Sequence, residues 1–331
     1  MREGGLLGWS TCALVKHDDE VAGIISRVLT AAPARRQAIF AALAAHELKA
    51  GVFEASDGLF PQSFAEVIRH GRATDILRMA FGDVPEGLPG LLEHIGERPL
   101  DRPGDYLAIY QMLARDDVRA ADALRGAGRI TRRKLEVLSS LDPRWQHAHT
   151  LERIDTGAEA INFNAAVEFV QSVCTRATDE AVAQAIALMR PSSTLPRLLD
   201  RFVRRADRLP THPVQVRDDE LRPLTTMRDH LEAARKYRNC LASKVGQVAA
   251  GRIAIAEFRG ECLVEFRPLT SSSGWMFWLC HGFRNGLVPI STVNAAAAKC
   301  DVLGIPRQDE DAGDSTGWRS YRRITQELDW D

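Results

Sequence analysis

Cys240 has the neighbours most suited to chemistry. It follows Arg235, Lys236 and Arg238 in the run LEAARKYRNC, at the expected start of a helix. Nearby cations and a helix N-terminus both favour the thiolate, the nucleophilic form of sulfur. His281 and Asn285 stand downstream. In chain order the three supply nucleophile, base and orienting group for a thiol-dependent hydrolase or transferase. The competing reading makes Cys240 a small apolar residue packed between helix and sheet, and His281 a strand-surface residue.

Other constellations are bounded by spacing. Cys240, Cys262, Cys280 and Cys300 are separated by about twenty residues, whereas structural zinc sites use ligand pairs two to four apart. No metal is therefore expected, and His147-Ala148-His149 lacks a third ligand nearby. Glu257, Glu261 and Glu265 flank a predicted hairpin with Arg259 and Arg267. Glu261 falls at the turn, so a convergent set of metal-binding carboxylates is not expected. Alternation puts Glu257 and Glu265 on a solvent face beside cross-strand arginines.

Basic residues cluster at 129–134, 201–208 and 319–323. Residues 212–305 hold twelve basic and nine acidic side chains. Arg238, Arg252, Trp275, Trp278 and Arg284 form a candidate binding surface for nucleic acid or protein, because aromatics stack bases beside arginine. Over the whole chain 43 basic residues meet 44 acidic ones, which excludes attraction to a polyanion by bulk charge. The chain has no P-loop, no G-x-G-x-x-G after a strand, no H-E-x-x-H and no G-x-S-x-G. No cofactor is expected.

The elements that must position these residues change character along the chain. The 331 residues, 45% apolar and 26% charged, are a globular length of about two domains. No run of 18 apolar residues predicts a membrane span. The N-terminal segment is too interrupted for a secretory signal. Six scattered cysteines read as reduced thiols in a cytoplasm.

Residues 18–210 read as successive amphipathic helices. The acidic run Asp18–Glu20 is expected to open the first, Pro33 and Pro103 later ones. Thr131 and Ser192 or Ser193 are expected caps, and Gly82 a stop. No clean repeat appears, so a bundle or an irregular solenoid both fit.

Leu209–Pro213 is a linker candidate. Beyond it Thr226 and Asp229 predict a capped helix, with a second helix ending at Gly251. Period-two alternation then predicts strands around Ile253–Phe258, Cys262–Phe266 and Trp275–Phe283. An Asn285-Gly286 type I′ turn should lead into a fourth strand at Leu287-Val288. A helix over Ile290–Leu303 and the two preceding helices would cover this sheet. After an acidic stretch from Pro306, a short helix through Trp318, Tyr321, Ile324 and Leu328 is predicted. The expected fold is α+β: an all-helical domain over 1–210, a small antiparallel sheet packed on helices over 211–305, and a linker with terminal helix over 306–331.

Over residues 220 to 305 the run Leu231–Cys240, the segment Val245–Arg252, the strand Glu261–Phe266 and the run Trp278–Asn285 resemble the PcfJ-like protein family. Cys240, Gly251, Gly282 and Asn285 fall on that family's pattern. Leu279, His281 and Ser243-Lys244 depart from it, where the family carries Gln, Arg and Tyr. The resemblance implies an intracellular bacterial accessory protein, associated with mobile elements or phage and acting by binding protein or nucleic acid. It brings no known reaction. The Cys240-dependent enzyme is the alternative.

Overall fold

Prolines and short polar side chains set most helix starts. The protein is described by a computed structural model over residues 8–48, 64–115, 118–216, 218–269 and 274–307. Its first helices are α1 (Trp9–Glu20), α2 (Ile24–Thr30), α3 (Pro33–Glu47), α4 (Phe64–His70), α5 (Ala73–Phe81), α6 (Leu88–Glu93) and α7 (Pro103–Ala114). They continue as α8 (Val118–Gly126), α9 (Arg132–Ser140), α10 (Ala148–Leu151), α11 (Gly157–Val173), α12 (Asp179–Ala187) and α13 (Leu195–Val203).

Pro33 and Pro103 open α3 and α7, Gly82 closes α5, and Thr131 caps α9, all as expected. The acidic run Asp18–Glu20 instead ends α1. Asp18 Oδ1 accepts the amides of Gly23 and Ile25, so it caps the following helix from behind. Thr194, rather than Ser192 or Ser193, accepts the Arg197 amide at the start of α13.

Two compact units form, residues 1–168 with 179–198, and residues 169–178 with 199–331. In the first, α3 is buried continuously from Gln37 to Ala45 and packs on α5, α6 and α7. Its one buried polar side chain is satisfied. The Tyr106 hydroxyl donates to Gln37 Oε1 at 2.6 Å, and the Gln37 amide donates to the carbonyls of Gly96 and Arg98. The basic run 129–134 is largely structural. Arg129 donates to the Ile95 carbonyl, Lys134 to the Arg129 carbonyl, and Arg133 pairs with Asp155.

The second unit is built on an antiparallel sheet of β1 (Leu221–Pro223), β2 (Ala254–Phe258), β3 (Cys262–Pro268) and β4 (Trp275–His281), in that spatial order. Helices α14 (Met227–Tyr237) and α15 (Val245–Ala249) join β1 to β2, and α16 (Ile290–Val302) follows β4. Thr226 and Asp229 form the expected capping box of α14, a feature worth about 1 kcal/mol.

The fourth strand is not the predicted one. A type I′ turn needs positive φ at both central residues. Here Arg284 and Asn285 take it, at 54° and 56°, while Gly286 lies at −70°. The chain therefore makes a 3₁₀ turn over Phe283–Asn285 and enters α16 through Pro289. The short β1 fills the fourth place by pairing Leu221 with Phe258.

Both faces of the sheet are covered. Phe258, Cys262, Val264, Phe266 and Phe277 pack with Ala296, Ala297 and Cys300 of α16. Ile253, Ile255 and Leu263 pack with Ala233, Ala234 and Tyr237 of α14, with Leu241, and with Val248 of α15. All five residues of β2 are buried. Glu257 and Glu265 are therefore buried rather than solvated, because α14 and the turn after it cover the face they point to.

The expected linker is also packed. His212 is buried, its Nε2 donating to the Ile255 carbonyl and its Nδ1 accepting the Val214 amide. The predicted terminal helix, the acidic stretch from Asp309, and Arg319, Arg322 and Arg323 lie outside the described residues.

Candidate functional site

Two chain reversals meet at Cys240. The first ends α14, where Arg238 adopts the left-handed conformation (φ 47°) that a helix stop usually assigns to glycine. Asn239 Oδ1 then accepts the Leu241 amide and opens one 3₁₀ turn over Cys240–Ser243. Cys240 is the first residue of that turn. Ser243 Oγ donates back to the Cys240 carbonyl at 2.7 Å.

The second reversal follows β4. The Gly282 amide donates to the Gly286 carbonyl, and a β-carbon on Gly282 would lie 2.8 Å from that same oxygen, so only glycine fits. Left-handed Arg284 and Asn285 complete the bend. It delivers Asn285 to the thiol, with Cys240 Sγ donating to Asn285 Oδ1 at 3.8 Å. Arg238, Arg284 and Asn285 are three of the four non-glycine residues with positive φ among the described residues. Backbone strain of this kind concentrates at functional sites.

Between the reversals lies a small cleft, half open to solvent. Its walls include Cys240, His281, Asn285, Lys244 and Glu265. The three residues picked from sequence as nucleophile, base and orienter are thus brought together. Cys240 is exposed. It is not the packed core thiol of the competing reading; Cys262 and Cys300 have that place.

The roles are redistributed. Asn285 bonds the thiol, not the imidazole. The group that orients His281 is Glu265, whose Oε2 meets His281 Nε2 at 2.9 Å. A carboxylate only accepts, so Nε2 carries the proton and Nδ1 is left as the basic nitrogen. Glu265 is 1% exposed. Lys244 Nζ donates to Oε2 at 2.9 Å and Arg267 Nε to Oε1 at 3.2 Å. Burial pushes its pKa up, but the bonds from His281, Lys244 and Arg267 outweigh burial and bring it down to about 2. It stays ionised and holds the imidazole in place.

The burial of Glu265 has a signal in the sequence. Leu263 and Glu265 share one face of β3, and a face bearing that leucine is a covered one.

Glu257 has its own donors on the same face: Lys236, the Tyr237 hydroxyl at 2.9 Å, and the cross-strand Arg222 at 3.1 Å. Burial opposes its ionisation, and these partners still hold its pKa below the ordinary value.

The candidate binding residues do not form one surface. Arg238 and Arg284 both approach the exposed ring of Phe283, at 5.9 and 5.4 Å from its centroid. Trp278 is covered by Arg267 at 4.1 Å. Trp275 packs against the α16 side of the sheet and borders a separate hollow with His212 and His230. Arg252 is exposed after α15 and does not line the Cys240 cleft.

Among the described residues no group of three or more His, Cys, Asp or Glu is arranged to hold a metal ion. Cys262 and Cys280 share a bond that lowers the pKa of Cys262 and raises that of Cys280. Burial pushes Cys280 further up and Cys300 to about 12. Among the described residues no helix is long and apolar enough to cross a membrane. No protein family, curated protein or solved structure matches the chain.

Proposed function

We propose that the second unit carries a thiol-dependent hydrolase or transferase site centred on Cys240. One observation carries the reading: an exposed thiol, a histidine anchored by a buried carboxylate, and an amide bonded to the sulfur line a single cleft. Cys240 attacks an electrophilic carbon and its proton passes to Nδ1 of His281. The new C–S bond forms as the leaving group departs with its electron pair and takes that proton. Water or an acceptor nucleophile then releases the product. The Asn285 amide, bonded to the sulfur through Oδ1, offers its nitrogen to negative charge developing on the substrate. Glu265 acts through His281 and is a positioning residue.

The resemblance to the PcfJ-like family supports the same centre. Cys240 and Asn285, two of its four matching positions, are bonded, and Gly282 shapes the bend that joins them. Membership of that family, and the mobile-element setting it implies, are proposed on those residues. A cytoplasmic location is proposed on the wide, unpatterned spacing of the six cysteines, which suits no disulfide framework.

The test compares two exposed cysteines in one molecule. Iodoacetamide labelling is followed by peptide mass spectrometry at Cys240 and Cys12. Cys240 is expected to react at least ~10-fold faster, a modest part of what a positioned base supplies. His281→Ala is expected to abolish the difference. A wild-type Cys240 no faster than Cys12 removes the proposal.

A further inference from the structure

The rim of the Cys240 cleft carries charge that its walls do not use. Residues 233–256 and 266–300 hold eight Lys or Arg, of which Lys236 pairs with Glu257, Lys244 and Arg267 with Glu265, and Lys299 with Asp218 and Glu220. These stretches supply both chain reversals. Among the described residues Glu265 is the only carboxylate lining the cleft, and it is shared by Lys244, Arg267 and His281. Lys244 balances Glu265 in the cleft wall, and Arg267 behind Glu265 adds one positive charge.

At the rim stand Arg238 and Arg284, both exposed and both held in left-handed backbone. Neither guanidinium meets a carboxylate among the described residues. Each lies instead beside Phe283, a ring left 51% exposed. Arg238 directly precedes Asn239-Cys240, and Arg284 directly precedes Asn285. Each thus adjoins one partner of the thiol–amide bond. Two uncommitted guanidinium groups offer an anion five donors each in a rigid fork. An exposed ring between them offers a flat apolar surface.

We infer that the cleft selects an anionic substrate: a carboxylate or phosphate held by Arg238 and Arg284, an adjoining flat or apolar part laid on Phe283, and the reacting carbon in front of Cys240. This rests on the thiol reading above and adds its substrate class. The fold supports it independently of sulfur chemistry, since the field comes from the rim. A positive cleft raises the local concentration of anions and their encounter rate, and salt screens the effect.

Two reagents with the same reactive carbon separate charge from reactivity. Iodoacetate is an anion and iodoacetamide is neutral. With either, the sulfur electron pair forms the C–S bond as the C–I bond breaks and iodide leaves. The thiol proton goes to His281 and then to water.

The iodoacetate-to-iodoacetamide rate ratio at Cys240 is expected to exceed that at Cys12 by about 10-fold at low salt, as focusing by a charged cleft allows. The excess should collapse in 0.5 M NaCl. It should also vanish in the double variant Arg238→Gln, Arg284→Gln, read as the iodoacetate-to-iodoacetamide ratio within that variant, in which any change of thiol reactivity common to both reagents cancels. A ratio at Cys240 equal to or below that at Cys12 overturns the inference while leaving the thiol reading intact.

Inertness of Cys240 to both reagents overturns the thiol reading instead. A titration with malonate then decides the charge question by itself. Saturable shifts of the Arg238 and Arg284 Nε–H resonances support an anion site. Their absence overturns it.

Discussion

Glu265→Gln is expected to lower the stability of the second unit by about 3 kcal/mol, near the lower end of what breaking a buried ion pair costs. The reason is what remains. Lys244 and His281, whose side chains are only 26% and 22% exposed, lose the one acceptor they share. A neutral amide replaces a carboxylate that accepted three charged or polar donors. Glu257→Gln is the matched control on the same sheet face. Its partners Arg222 and Lys236 are more than half exposed and can turn to water, so about 1 kcal/mol is expected there. Urea denaturation followed by circular dichroism measures both. Equal losses in the two variants would show that Glu265 holds no special position.

Acid should unfold the protein in two steps of slope. Burial lowers the His212 pKa from 6.5 to about 4. Between those values the unfolded chain takes up a proton that the folded chain refuses, so stability falls as pH drops from about 6.5 to about 4. One such group accounts for up to about 3 kcal/mol at 1.36 kcal/mol per unit. His230, His147 and His46, each lowered first by burial, act in the same direction.

Glu265 takes over below. Its pKa falls from 4.5 to about 2, so its contribution is complete above 4.5 and disappears as pH falls towards 2. It too is worth up to about 3 kcal/mol. Unfolding free energy measured from pH 8 to pH 3 should therefore decline from about 6.5 downward. Glu265→Gln should flatten only the part below 4.5. A wild-type profile level between 6.5 and 4.5 would contradict the burial of these imidazoles.

What could be read from sequence was what local chemistry decides. Thr226 with Asp229, the prolines at 33 and 103, and Gly82 each act within one turn of their own backbone. The same holds for the Arg259-Gly260 turn, where both residues do take positive φ. The three residues drawn to one cleft were legible by type.

Their partnerships were not, because those depend on contacts between distant segments. Lys244 and His281 reach Glu265 from 21 and 16 residues away, and no periodicity reports such a meeting. Alternation predicts solvent exposure for Glu257 and Glu265 only where one sheet face stays wet. Here α14 covers it and brings cations along. The Asn285-Gly286 pair has the composition of a hairpin turn. The left-handed pair sits one residue earlier, at Arg284 and Asn285, so the bend aims Asn285 at the thiol instead of starting a strand. β1 is three residues long and ends in proline, too short for any alternation to show.

How His281 is held decides the chemistry of the cleft, and nitrogen-15 NMR of its ring reads that directly. With Glu265 ionised behind it, neutral His281 should carry its proton on Nε2 and leave Nδ1 bare. The Nδ1 resonance should move when Cys240 alone is alkylated, and the tautomer preference should be lost in Glu265→Gln. A proton on Nδ1, or a ring indifferent to modification of Cys240, would contradict a base poised for that thiol.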